Sequence, residues 1–236
     1  MRNILVLILI IFVIVYLNKE NFVNIDDIES YFINLGKTKE RKDKVNKAMK
    51  ELNLKINRLP AFNGRFMDDS LKQILKEKKN KKQKILKLGE YGCILSHCHL
   101  WKDLAQRNDK DIILIFEDDL DIDKDFKKKM NKILDKLPND WDVFLIGHLY
   151  LNKRTNKIID NDIVKVGNGG FFRTHCYLIN AKAAKKMVKY CNIMEISKPL
   201  DLLMTELLKK KVINVYGTHT EYVKQNSGYS DTQGIN

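Results

Sequence analysis

Three consecutive carboxylates, Glu117, Asp118 and Asp119, are the side chains of this 236-residue sequence best placed to do chemistry. They follow directly on Asp111-Ile112-Ile113-Leu114-Ile115-Phe116, a run apolar on both faces, as a central parallel strand requires. An open α/β sheet binds its ligands at the carboxyl ends of its strands. Adjacent carboxylates at such an end repel one another and are costly to desolvate, so a cation is their natural partner. An all-oxygen donor set suits Mg²⁺ or Mn²⁺, which is then shared with phosphate oxygens. The chemistry that follows is neutralisation of a diphosphate leaving group as a sugar–phosphate bond breaks. The competing reading is a solvated acidic loop running on through Asp121, Asp123 and Asp125. Those three are expected to open the next helix, where carboxylates meet the positive end of its dipole.

The surrounding pattern supplies elements that can hold such a site. Ser30 to Leu35 reads as a strand, and Thr38 to Leu54 as a helix with Val45, Met49 and Leu52 on one face. Lys55 to Leu59 is a weaker strand broken by Pro60. Lys72 to Lys87 is crowded with lysine and reads as an exposed helix or a mobile loop. Cys93 to Gln106 is helical. Phe126 to Leu137 is a helix closed by Pro138, and Trp141 to Ile146 a buried strand. Lys153 to Asp162 is a polar excursion. Past the Gly167–Gly170 loop, His175 to Ile179 is a strand, Ala181 to Tyr190 a helix, Leu200 to Lys210 another, and Val212 to Tyr216 a last strand. Strands alternating with helices predict an α/β fold with a mostly parallel sheet. No internal repeat and no second domain is seen.

Composition sets further bounds. Hydrophobic residues make up 44% of the chain, which excludes wholesale disorder. The net charge of +13 comes almost entirely from dispersed lysines. A basic surface attracts nucleic acid, anionic lipid or an anionic sugar donor, but solvated lysines are the plainer reading. The four cysteines, Cys93, Cys98, Cys176 and Cys191, form no C-x-x-C pair, so buried free thiols are expected. A disulfide is an option in an oxidising lumen. Ile4 to Leu17 is an unbroken apolar run; as a helix it spans roughly 21 Å, short of a bilayer core of roughly 30 Å. With no small-x-small cleavage site after it, residues 1–20 read as an uncleaved signal anchor rather than a signal peptide. The catalytic domain, 26–236, would then be membrane-anchored and lumenal or extracytoplasmic, or in the secretory pathway if the segment is cleaved.

Four segments together resemble glycosyltransferase family 25, which includes lipopolysaccharide and procollagen galactosyltransferases. They are Phe32-Ile33-Asn34-Leu35 with Arg41; Arg58 to Gly64 (R-L-P-A-F-N-G); Gly89 to Trp101 (G-E-Y-G-C-I-L-S-H-C-H-L-W); and Ile115 to Asp119 (I-F-E-D-D). Pro199-Leu200-Asp201 and Gln225 to Asp231 resemble weaker family features. The resemblance implies a GT-A-like single domain with a Rossmann-like sheet. It also implies a divalent metal, Mn²⁺ or Mg²⁺, and inverting transfer from a UDP-sugar, often UDP-galactose, to a glycan or glycoprotein hydroxyl. The basic Lys72–Lys87 insertion and the Gly228-Tyr229 interruption of the tail depart from the pattern and bear on the acceptor more than on the chemistry.

Roles follow residue by residue. Asp119 is the expected metal ligand, with Glu117 either a second ligand or a contact to ribose or metal-bound water, and Asp118 in support. Asn34, Arg41, Glu90, Ser96 and His97 are expected to bind the nucleotide-sugar, although Glu90 is equally a helix cap and His97 equally a core histidine. Trp101 reads as core. Inverting transfer needs a base for the acceptor hydroxyl; Asp201 is the candidate, with His148 and Glu221 behind it. Neither Ser96 nor Cys93 has the base and orienting acid of a covalent nucleophile. The alternative function is a basic nucleic-acid-binding protein or metal-dependent nuclease using the same carboxylates. Against it, the aromatics do not interleave with the lysines. A catalytically dead, lumenal binding module is a third reading, disfavoured by the intact acidic triplet.

Overall fold

The computed structural model describes residues 23–36, 39–64 and 69–225. The apolar run and the tail beyond Gln225 lie outside them, so the expected N-terminal helix and the 226–231 feature do too. Among the described residues no helix is long and apolar enough to cross a membrane.

The strands are β1 (Glu29–Asn34), β2 (Ile56–Pro60), β3 (Ile112–Glu117), β4 (Leu120–Ile122), β5 (Val143–Tyr150), β6 (Lys157–Ile158), β7 (Ile163–Lys165), β8 (Phe171–Asn180), β9 (Val215–Thr218) and β10 (Val223–Gln225). The helices are α1 (Lys39–Glu51), α2 (Asp69–Asn80), α3 (Leu88–Leu104), α4 (Phe126–Leu134), α5 (Ala181–Met187) and α6 (Leu200–Lys209). Eight strands form one sheet in the order β2-β1-β3-β8-β5-β9-β7-β6, and β4 pairs with β10 beside it.

The sheet is more mixed than the expected mostly parallel one. Pairs β1–β2, β1–β3 and β5–β9 are parallel, whereas β8 runs antiparallel to both β3 and β5. The β6 and β7 edge is antiparallel as well. The direction of β8 has a consequence for the site. Its first half, Arg173 to Cys176, lies at the same sheet edge as the carboxyl ends of β1, β3 and β5, with Phe116 opposite Cys176.

Alternation along the strands divides the core into two layers. Ile113, Ile115, Leu145 and Tyr177 face α3, α5 and α6 on one side. Leu114, Phe116, Phe144 and Leu178 face α1 and α4 on the other. Thus β3 is buried on both faces, and its charged end is carried by a strand packed into both core layers.

Two features of the core run against expectation. Cys98 and Cys191, 93 residues apart, form a disulfide that ties α3 to the segment after α5; Cys93 and Cys176 are free. The lysine-rich stretch is not wholly exposed. Lys78 on α2 is 1% exposed, and its ammonium donates to the carbonyls of Ile193 (3.2 Å), Met194 (3.1 Å) and Ile196 (2.5 Å). Burial pushes its pKa down, but three carbonyl dipoles replace the lost hydration. Lys78 thereby fixes the loop that leads into α6 and Asp201.

Replacing Lys78 leaves those carbonyls unpaired in a dry site, so Lys78→Met is expected to cost about 2–4 kcal/mol in urea denaturation. The exposed neighbour Lys79→Met should stay within about 0.5 kcal/mol. Equal effects at the two positions would show that Lys78 carries no such anchor.

Candidate active site

The acidic triplet lines a cleft of about 880 Å³, open to solvent. Its walls come from β1 and α1 (Ile33, Arg41), the 61–64 loop, α3 (Gly89, Gly92, Cys93, Ser96, His97) and Gln225. Glycine makes that packing possible. A Cβ at Gly92 would stand 2.4 Å from the Phe62 carbonyl oxygen, and one at Gly64 only 1.8 Å from that of Leu88. Ser96 closes the contact: its hydroxyl accepts from the Phe62 N–H (2.9 Å) and donates to the Gly92 carbonyl (2.7 Å). The hydroxyl is committed to holding the cleft wall.

Each carboxylate is held from a different part of the fold. Asp118 accepts from Asn34 Nδ2 at 2.5 Å and pairs with Arg41 at 3.3 Å. Asn34 is in turn held by Arg58 Nε (3.1 Å) and the Gly36 N–H (3.0 Å), so both ends of its amide are used. Asp119 Oδ2 accepts from Gln225 Nε2 at 2.7 Å, because β10 returns antiparallel to β4 and sets Gln225 opposite Leu120. Asp119 Oδ1 is buried with no hydrogen-bond partner. Glu117 Oε1 stands 3.5 Å from His97 Nε2 and 4.0 Å from Cys93 Sγ.

His97 is wholly buried and stacked on Tyr177. The Tyr177 hydroxyl accepts from Trp101 Nε1 (3.0 Å) and lies 2.8 Å from His97 Nδ1. Tryptophan is a donor only, so the hydroxyl keeps both its proton and a lone pair with which to meet His97 Nδ1 in either role.

Electrostatics divides the carboxylates. Burial pushes the Asp119 carboxyl up, and the charge of Glu117 adds to it. Burial likewise raises Asp118, against the pull of Asn34 and Arg41. At Glu117 burial is outweighed by His97 and His175, which hold the group below the usual carboxylate range. Asp201 begins α6, and its Oδ2 accepts from the N–H of Arg173, a residue at φ 63°. Asp201 does not line the cleft, yet burial and the charge of Glu117 both raise its carboxyl. Of the fallback bases, His148 is 2% exposed, and burial, then His175 and Lys153, push its pKa to about 3, too weak to take a hydroxyl proton. Glu221 Oε1 is buried without a hydrogen-bond partner, 4.0 Å from Arg173.

The geometry therefore gathers Asn34, Arg41, Ser96, His97, Glu117, Asp118 and Asp119 around one cleft. Glu90 is outside the cleft lining; its carboxylate accepts from the Lys87 N–H at 2.8 Å and caps its own helix. Asp121 and Asp123 lie at β4 and the turn after it rather than opening α4. Sequence reasoning did not assign roles to Cys93, Tyr177 or Arg58. Cys93 carried a signal, since it sits four residues before His97 on one helix face; Arg58 carried one as the head of the R-L-P-A-F-N-G segment, but its hold on Asn34 needed the β1–β2 pairing, and Tyr177 carried none without knowledge of strand order.

A three-layer α/β protein with an acidic cleft at the carboxyl end of a central strand is defined by this arrangement. The model of glycosyltransferase family 25 (LPS biosynthesis protein) matches residues 27–204. The chain belongs to glycosyltransferase family 25. It is 29% identical over 184 residues to a glycosyltransferase 25 family member of Aedes aegypti, covering 74% of this chain and 29% of that protein. It is also 29% identical over 170 residues to procollagen galactosyltransferase 2 of Homo sapiens, covering 68% and 27% respectively. The chain thus spans less than a third of the length of these relatives. Among solved structures, "Crystal Structure of A197 from STIV" matches at TM-score 0.44 and 11% identity, covering 86% of this chain and 87% of that one.

The raised carboxyl of Asp119 has a stability consequence. A folded-state pKa above the unfolded value means the folded chain binds more protons in that window, so stability falls as pH rises through it. Without added metal, Asp119→Asn is therefore expected to melt higher than the parent at neutral pH. The gap should narrow as pH falls below about 4, where the aspartate is protonated in both states. A variant that melts lower at every pH would contradict the repulsion described.

Proposed function

We propose that the cleft transfers a hexose from a UDP-sugar to a hydroxyl of a glycan, lipopolysaccharide or protein acceptor, with inversion and with a divalent cation, Mn²⁺ or Mg²⁺. The observation that carries this reading is the convergence of Glu117, Asp118 and Asp119 at the end of β3, with Asp119 Oδ1 buried and unpartnered. Such an oxygen fits a hard cation, and Glu117, held ionised, can serve as the second ligand. When bound, the cation neutralises charge on the diphosphate.

The chain's own residues divide the rest of the work. Asp118 spends its charge on Asn34 and Arg41, which stiffens the floor of the cleft and leaves Arg41 at its rim, beside the place a diphosphate would occupy. Asp201 lies outside the cleft lining but near enough to Glu117 to feel its charge, and with its carboxyl raised it is the residue proposed to take the acceptor proton. The family's GT-A-like architecture accords with the α/β sheet and its acidic edge. The human relative is a procollagen galactosyltransferase, which makes galactose the sugar to try first. The reading extends to 26–236 as the catalytic domain and to 1–20 as a membrane anchor facing it outward from the cytoplasm. The Cys98–Cys191 disulfide suits such an oxidising compartment.

The test is UDP release from UDP-galactose and UDP-glucose with Mn²⁺ and a mixed acceptor pool. Turnover is expected to need the metal and to fall on the order of 10²–10³-fold in Asp119→Ala, the several kcal/mol a lost cation represents. Metal-dependent UDP binding should vanish in the same variant. Unchanged UDP–Mn²⁺ affinity in Asp119→Ala, or no turnover with any donor, would sink the proposal.

A further inference from the structure

The α3 wall of the cleft holds a donor set that a hard cation does not call for. Cys93 and His97 are four residues apart on one helix face, and Glu117 reaches them from the end of β3. Cys93 Sγ, His97 Nε2 and a Glu117 oxygen all lie within 4.8 Å of one another. In a tetrahedral zinc site, bonds of about 2.0–2.3 Å place ligand atoms roughly 3.3–3.7 Å apart. The triplet is thus within about 1 Å of that spacing. His97 Nε2 is buried, aimed at Glu117 and without a hydrogen-bond partner. Behind the ring, Nδ1 meets the Tyr177 hydroxyl, itself fixed by Trp101, the kind of support that orients a metal-ligating histidine. Asp118, Asp119 and Asp201 each feel the charge of Glu117, so the surroundings are negative.

We propose that Cys93, His97 and Glu117 form a second site, selective for a thiophilic divalent cation of the zinc class and left with a fourth position open to the cleft. Sulfur and imidazole suit zinc and cobalt and do not suit Mg²⁺ or Mn²⁺. Binding takes the cysteine as thiolate and releases its proton. Because the site claims Glu117, a zinc-class ion competes with the hard cation proposed at Asp119 for the same carboxylate. The site stands independently of the transferase reading, since it needs only the geometry of α3 and β3.

The test titrates the metal-free protein with Co²⁺ alone, followed by Zn²⁺, under non-reducing conditions. A thiolate-to-cobalt charge-transfer absorption is expected, displaced stoichiometrically by Zn²⁺. Cys93→Ser should abolish the band and weaken Zn²⁺ by at least about 100-fold, and Tyr177→Phe should weaken it about 10-fold. Cys176→Ser, which alters the other free thiol, and Asp119→Asn should both retain the band. Circular dichroism and the thermal melting temperature report whether Cys93→Ser is folded. Cobalt bound without a thiolate band, a band lost in Cys176→Ser instead, or unchanged Zn²⁺ affinity in folded Cys93→Ser would overturn the site. Loss of the band in Asp119→Asn would overturn its separateness from the acidic one.

Discussion

The structure turns on the cost of keeping three carboxylates together at a half-buried strand end. Left alone, Glu117, Asp118 and Asp119 would repel one another and draw the chain open to water. Each is instead met by a different element: His97 of α3 for Glu117, Asn34 and Arg41 for Asp118, Gln225 of β10 for Asp119. The compensation is incomplete. One oxygen of Asp119 has no partner, and two of the three carboxyls are held above their usual range. Incomplete compensation is what distinguishes a ligand site from a structural charge network, and it comes at the expense of stability.

That constraint explains the placing of the surrounding parts. The two-sided burial of β3 fixes where the triplet points. Gly92 and Gly64 let the 61–64 loop lie directly on α3, and Ser96 clasps it there, so the cleft wall and the helix carrying His97 form one unit. The Cys98–Cys191 disulfide begins one residue after His97 and ties the same helix to the segment before α6. Lys78 holds that segment from the other side. Asp201 at the start of α6 is therefore positioned relative to Glu117 by a covalent bond and a buried ammonium.

Much of this was legible in the sequence. A six-residue run apolar on both faces, followed at once by three acids, specifies both a central strand and a site at its end. The Gly89–Trp101 segment specified the family. Other parts had no local signal. Nothing in Phe171–Asn180 encodes that β8 runs antiparallel, because apolar alternation is the same in either direction. Cys98 and Cys191 are too far apart in the chain for spacing to pair them. Lys78 looks like its neighbours in a lysine-rich run, and only the loop carbonyls above it single it out. Gln225 reaches Asp119, 106 residues earlier in the chain, only because β10 pairs with β4.

The most direct measurement is anomalous diffraction at the manganese edge from crystals of the protein grown with UDP and Mn²⁺. The account predicts a peak in the cleft against the Asp119 carboxylate, with the UDP diphosphate bound to the same ion. A manganese peak away from Asp119, or UDP seated outside the cleft formed by β1, β3 and α3, would contradict it.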